Sequence, residues 1–313
     1  MSDRIALDAR GAGLMTLLCF TWGLQQAVLK LAAPDVSPLM QIAVRSGVAA
    51  LLVGLLVVGQ RQTFSLTGPN GRSGLLVGSL FALEFFLVGE ALRHTAASHV
   101  IVLLYTAPMF VALGLHWKIP AERLNRVQWL GIVVAFLGIA ITFLWRKPPA
   151  TDNNLPQMLW GDLLAVAAGA AWAATTVAVR LTGLSRAPAK QTLLYQLVWG
   201  CLFLSLAALL LDQATIQWTP LAISALLFQS IVVSFASFLV WFWLLTKYLA
   251  SSLGAFSFLT PLFGVVVGVW LLNETLEPGF IAGSVLVLTG VATVSAHTRL
   301  TAFLKRRGGS ALS

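Results

Sequence analysis

The sequence predicts an all-α integral membrane protein of ten transmembrane helices, laid out as a 5+5 inverted repeat. Three observations predict it. The chain is 58% hydrophobic and only 10% charged over 313 residues, where soluble chains carry roughly 25% charged residues. One stretch is used twice, 153 or 152 positions apart. Lys and Arg crowd into alternate connections between apolar runs.

The repeated stretch is Tyr105-Thr106-Ala107-Pro108, then Glu122, Gly131 and Gly138. It returns as Phe258-Leu259-Thr260-Pro261, then Glu274, Gly283 and Gly290. Ser98 precedes Pro108 by ten positions, and Ser251 precedes Pro261 by ten. Upstream, Gly11 and Gly161, Trp22 and Trp172, Lys30 and Arg180, and Gln41 and Gln191 are each 150 apart. An ordered series of this kind marks two halves of one plan.

Uncharged runs such as Gly11–Leu29, Val127–Trp145, Gln191–Leu211 and Gly279–His297 are long enough to span a bilayer. The expected helices are 11–32, 38–59, 73–92, 96–117, 126–145, 159–181, 190–211, 219–246, 249–272 and 278–297. The eighth is long enough to tilt. Turn chemistry separates them at Ala33-Pro34-Asp35, Gly68-Pro69-Asn70-Gly71, Pro188 and the segment from Asn273 to Gly279. The units are therefore a first five-helix repeat over 1–147, a linker over 148–157, a second repeat over 158–298 and a basic tail over 299–313. Gly11–Leu31 is long for a signal peptide and is expected to stay as a helix.

With the N-terminus inside, fifteen Lys and Arg fall on the inner side and four (Lys30, Arg93, Arg146 and Lys147) on the outer. This asymmetry places both termini in the cytoplasm, across a plasma membrane of the bacterial inner-membrane kind. An odd number of helices per half then inverts the second half. The net charge of +9 sits in short loops, so the partners expected are the lipid bilayer and a small molecule, with no nucleic acid. Cys19 and Cys201 lie in apolar runs and read as small hydrophobes. Hydrolase, phosphate-loop and zinc motifs are lacking and the four histidines lack ligand spacing, so an enzyme, a metal and a cofactor are not expected.

These residues resemble the EamA-type transporters of the drug/metabolite transporter superfamily. The likeness runs through Trp22-Gly23, Lys30, Ser37-Pro38, Arg45, Ala91-Leu92, Pro108, Glu122-Arg123-Leu124, Gly131 and Gly138. It continues in Trp172, Arg180, Pro261, Asn273-Glu274-Thr275-Leu276, Gly283 and Gly290. The chain departs from the pattern at Lys118-Ile119-Pro120-Ala121 and at Glu84 and Glu90. The resemblance implies a ten-helix basket that exports small metabolites, often amino acids. It also implies a central cavity lined by helices one, three, four, six, eight and nine.

Several residues stand out against the apolar background. Arg45 lies about seven residues inside helix two with Gln41 one turn away. It is either a carboxylate anchor or a structural tether to a backbone carbonyl or an acid, since membrane-buried charge faces an interior or water. Glu84, near the middle of helix three, is a proton carrier, an amine anchor, or a structural acid paired with Arg45 or Lys30. Glu90 and Arg93 read as an interfacial pair. Trp22, Gln25, Gln26, Tyr105 and Trp172 are candidate cavity residues, whereas Trp117, Trp145, Trp218 and Trp270 fit an aromatic belt. Ser230, Ser234, Ser237 and Trp241 form a stripe on helix eight. Gly254, Ser257, Pro261, Gly264 and Gly268 share a face of helix nine. Close packing or a water-facing wall suits both. Glu122 and Glu274 are expected to cap helices five and ten.

The function expected is export of a small amphipathic metabolite such as an amino acid, by alternating access with Pro108 and Pro261 as gating hinges. Proton coupling and a homodimer are left open. The alternatives are a nucleotide-sugar or drug carrier, and a membrane scaffold or sensor that transports nothing.

Overall fold

A bilayer core offers no hydrogen bonds, so a chain this apolar satisfies its backbone within helices. The computed structural model describes residues 8–61, 64–120, 123–145, 154–248, 253 and 256–309. Glu122, Ser251, Gly254, Arg146, Lys147 and most of the linker lie outside them. Among the described residues the elements are helical, apart from one isolated antiparallel bridge between Val36 and Ile216. They are α1 (Ala9–Leu31), α2 (Pro38–Gly59), α3 (Gly71–His94), α4 (Ala97–Leu104), α5 (Ala107–Lys118) and α6 (Arg126–Leu144). Then follow α7 (Leu155–Leu181), α8 (Ala189–Leu210), α9 (Pro220–Leu227), a π-helical segment (Phe228–Ser237), α10 (Phe238–Lys247), α11 (Leu259–Leu272) and α12 (Pro278–Gly309). Among the described residues, eight helices are long and apolar enough to cross a membrane, with Leu259–Leu272 and the apolar part of α12, Pro278–Val294, shorter.

Five features differ from expectation. The fourth expected helix is interrupted at Tyr105 and Thr106, just before Pro108, where proline denies the preceding turn a backbone donor. Its mate is interrupted likewise, at Ser257 and Phe258 before Pro261. The helix expected from 159 starts at Leu155, because Pro156 falls in its first turn, which tolerates proline. The last helix runs on to Gly309 through the expected tail. Ala, Leu, Lys and Arg there favour helix and no proline stops it. The long eighth helix has a ten-residue π segment at its centre.

The turns gather at two ends. At one, here the distal face, Ser37 donates to the Gln213 carbonyl at 2.7 Å, Gln217 N donates to the Asp35 carbonyl at 2.9 Å, and Gln213 Nε2 donates to Glu90 at 2.7 Å. Glu90 also pairs with Arg93 at 3.0 Å, as expected. At the other, the terminal face, Tyr195 donates to the Ser65 carbonyl at 2.7 Å and Lys190 to Gln60 at 2.9 Å. There too Tyr248 donates to Asp8, the N-cap of α1, at 2.7 Å. The Gly11 amide and then the Tyr248 hydroxyl hold the Asp8 carboxyl below its usual range.

The halves join along α6 and α12. A Cβ on Gly131 would lie 2.8 Å from the Gly290 carbonyl oxygen, and one on Gly138 would lie 2.7 Å from that of Gly283. The helices are therefore antiparallel and touch backbone to backbone, which only small residues allow. Each glycine meets the repeat mate of the other, the reciprocal pattern of a two-fold contact. A buried cluster around Ile101, Tyr105, Met109, Ile132, Phe280 and Val287 completes this side. Trp117, Trp145, Trp218 and Trp270 are 55 to 78% exposed at helix ends, as an aromatic belt requires.

Candidate functional site

A charge inside a membrane protein needs partners, and Arg45 collects them from both halves. Ser37 and Pro38 start α2, the Ser37 hydroxyl accepting from Met40 N at 3.1 Å. Two turns on, Arg45 is 3% exposed. Its Nη1 donates to Gln25 Oε1 of α1 at 2.9 Å and to Gln229 Oε1 of the π segment at 2.7 Å. Gln229 Nε2 in turn donates to the Gln25 carbonyl at 2.9 Å. The guanidinium lies 4.7 Å above the Phe85 ring, a cation–π contact. Its hydrogen-bond partners among the described residues are side-chain amides.

Glu84 of α3, next to Phe85 in the chain, is buried at 6% exposed. Among the described residues it makes no ion pair within 4.0 Å. So a buried acid and a buried guanidinium share this interior without an ion pair. Gln41 belongs elsewhere: its Nε2 donates to the Leu29 and Val36 carbonyls at 3.0 and 2.8 Å and ties α1 to α2.

The aromatic candidates form two pairs. Trp22 Nε1 donates to Ser237 Oγ at 2.9 Å, and the ring stands edge-on to Trp241 at 5.6 Å. Its repeat mate Trp172 stands edge-on to Tyr105 at 5.4 Å. Gln26 turns away from the Arg45 cluster, buried, with its Oε1 unpartnered among the described residues. Ser230, Ser234 and Ser237 are buried and Ser257 is half-buried. Gly264 packs on Ile101 and Gly268 on Glu274. Pro108 opens α5, and Pro261 lies in the first turn of α11.

Glu274 corrects an expectation. Its oxygens accept from Ala97 N at 2.6 Å and Ser98 N at 3.0 Å, so it caps α4 of the other half rather than the last helix. The turn at Asn273, in the left-handed region at φ 53°, aims the chain that way. Asn125, in a reciprocal box with Gln128, caps α6.

Sequence reading missed Gln229, Phe85, and the buried pair of His99 and Asp162. Gln229 had a signal, as the lone amide in an apolar run. Asp162 had the one that singled out Glu84, a single acid inside a span. Phe85 had none. An apolar groove of about 280 Å³ lies between α3 and α8, lined by Ala82, Phe86, Phe203 and Leu204.

Comparison with known proteins places this geometry. The pattern of the EamA-like transporter family matches twice, over residues 9–144 and 159–296. The uncharacterized transporter YvbV of Bacillus subtilis is 26% identical over 293 residues, 93% of each chain. A probable amino-acid metabolite efflux pump of Salmonella typhimurium is 26% identical over 294 residues, 89% of this chain and 92% of that one. A crystal structure shares the fold at a TM-score of 0.61 and 18% identity, covering 92% of this chain and 98% of its own. Two family matches that together take in most of the chain, and full-length relatives named as transporters, mean that this multi-pass membrane protein belongs to the EamA-like transporter family.

Proposed function

We propose that the protein exports small amphipathic metabolites of the amino-acid class, by alternating access between two inverted five-helix halves. The observation that carries this is a buried guanidinium and a buried carboxyl group that make no ion pair among the described residues. Arg45 suits a carboxylate and Glu84 an ammonium, so together they suit a zwitterion. Trp22, Trp241, Tyr105 and Trp172 supply apolar walls. The Salmonella relative's name agrees with this class, and the reciprocal antiparallel contact of α6 and α12 supports inversion. The helix interruptions before Pro108 and Pro261 support their reading as hinges of opposite gates.

The test is counterflow of labelled neutral amino acids into liposomes holding the purified protein. Uptake above that of empty liposomes is expected for free amino acids and not for their amides or N-acetyl derivatives. Pro108→Ala and Pro261→Ala are expected to slow exchange while shifting the open face in opposite directions. Flux of nucleotide sugars or cationic drugs alone would favour the other carriers, and no flux of any solute the scaffold.

The charge asymmetry supports cytoplasmic termini and an outward distal face. Thr67 and Trp218 lie in exposed turns of the terminal and distal sides. In intact cells, an impermeant thiol reagent is expected to label Trp218→Cys and spare Thr67→Cys. The reverse pattern would turn the protein over.

A further inference from the structure

On the distal face a second buried polar group bridges the halves. Asp162 of α7 is 0% exposed. Its Oδ1 accepts from Thr95 Oγ1 at 2.6 Å, and its Oδ2 lies 3.2 Å from His99 Nδ1 of α4. The His99 ring, 3% exposed, stacks on Phe280 of α12 with centroids 3.9 Å apart and planes 18° apart. Lys30 of α1 donates to the Thr95 carbonyl and stands 4.0 Å from Glu274. Glu274 caps α4 beside Ser98, itself 1% exposed. Thr95, His99 and Lys30 belong to the first half. Asp162, Phe280 and Glu274 belong to the second.

We propose that His99 and Asp162 form a proton-binding site in this seam, and that a bound proton holds the distal face closed. Histidine is the side chain that changes charge near neutrality. Neutral, His99 gives Asp162 one hydrogen bond. Protonated, it forms a charge-assisted hydrogen bond and ion pair across the two halves, in a site shielded from water. The same proton turns the stack on Phe280 into a cation–π contact. Among the described residues, the other charged or titratable groups beside the seam are Lys30 from α1, Glu274 from the α11–α12 turn and His94 from the end of α3, next to Gly161 of α7, while Glu90 and Arg93 pair with each other. When the face opens, His99 and Asp162 part and both meet water. The proton then binds more tightly to the closed state, so acid shifts the population toward it.

The proposal rests on the reading that the halves part at this face, and its test does not need transport. Ser98→Cys is placed beneath the seam, with Cys19→Ala and Cys201→Ala, in nanodiscs where reagent reaches both faces. Its thiol-labelling rate is taken relative to Trp218→Cys, an exposed reference. The relative rate is expected to fall about fivefold between about pH 8 and about pH 5. His99→Gln, which keeps a hydrogen-bonding side chain but cannot take the proton, is expected to flatten the profile, and Asp162→Asn likewise. Glu274→Gln is expected to leave the slope in place. An unchanged slope in His99→Gln, or a slope lost in Glu274→Gln, overturns the proposal. If neither His99→Gln nor Asp162→Asn accumulates, the parent profile decides: a flat parent overturns it and a falling one supports it. A chain that moves no amino acid yet shows the slope sinks the transport reading alone.

Discussion

Arg45→Leu is expected to cost the fold about 3–5 kcal/mol, the usual loss when one member of a buried charged group is removed. Leucine leaves the Gln25 and Gln229 carbonyls without their donor and leaves Glu84 buried without the charge that offsets it. The readout is the thermal midpoint in detergent, followed by tryptophan fluorescence, together with yield in the membrane. Adding Glu84→Gln to Arg45→Leu is expected to restore about 1 kcal/mol or more, because the two sites couple. Arg45→Lys is expected to stay near the parent in stability and fall in transport, since an ammonium lacks the planar fork. A midpoint for Arg45→Leu equal to the parent's would mean that the cluster carries no charge burden.

The second large effect is expected at the joint of α6 and α12. Gly138→Ile is expected to lose about 3 kcal/mol or more and to abolish accumulation. The new Cβ would lie 2.7 Å from both the Gly283 carbonyl oxygen and the Val287 amide nitrogen. Those atoms are backbone and cannot swing aside as a flexible side chain does, so the helices must separate along their length. Gly138→Ala is expected to lose less, about 1–3 kcal/mol. Gly54→Ile serves as control, because a Cβ there meets nothing within 4 Å. Equal yields of Gly138→Ile and Gly54→Ile would show that the joint tolerates a wider gap.

The helices were legible because a bilayer leaves the backbone few choices, and apolar length reports them directly. The duplication was legible because prolines, glycines and tryptophans kept their order in both halves. Arg45 and Glu84 stood out as charges in hydrocarbon. Their partners did not. Gln229 reaches Arg45 only because distant segments pack together, and no spacing records that. Glu274 looked like a cap for the helix beside it, yet the nearest free amides in space belong to α4. Pro156 falls within the expected linker, yet it sits in the first turn of α7, where proline is tolerated. The π segment left no mark, since its composition is that of any apolar helix.

That π segment sets a phase. At 100° per residue, an α-helix would carry Trp241 about 120° around the axis from Gln229. A wider turn, closed from i to i+5, advances each residue by less. The slower winding brings Gln229, Ser237 and Trp241 onto a common side, where Gln229 meets Gln25 and the other two meet Trp22. One surplus residue thus lets a single face serve both the guanidinium and the indole. Deleting a residue between Ser230 and Phe235 would return the segment to ordinary winding. Trp241, then eleven residues beyond Gln229, would come to about 20° from it around the axis, so the common side would survive the deletion, whereas ordinary winding with every residue kept would turn Trp241 about 120° away.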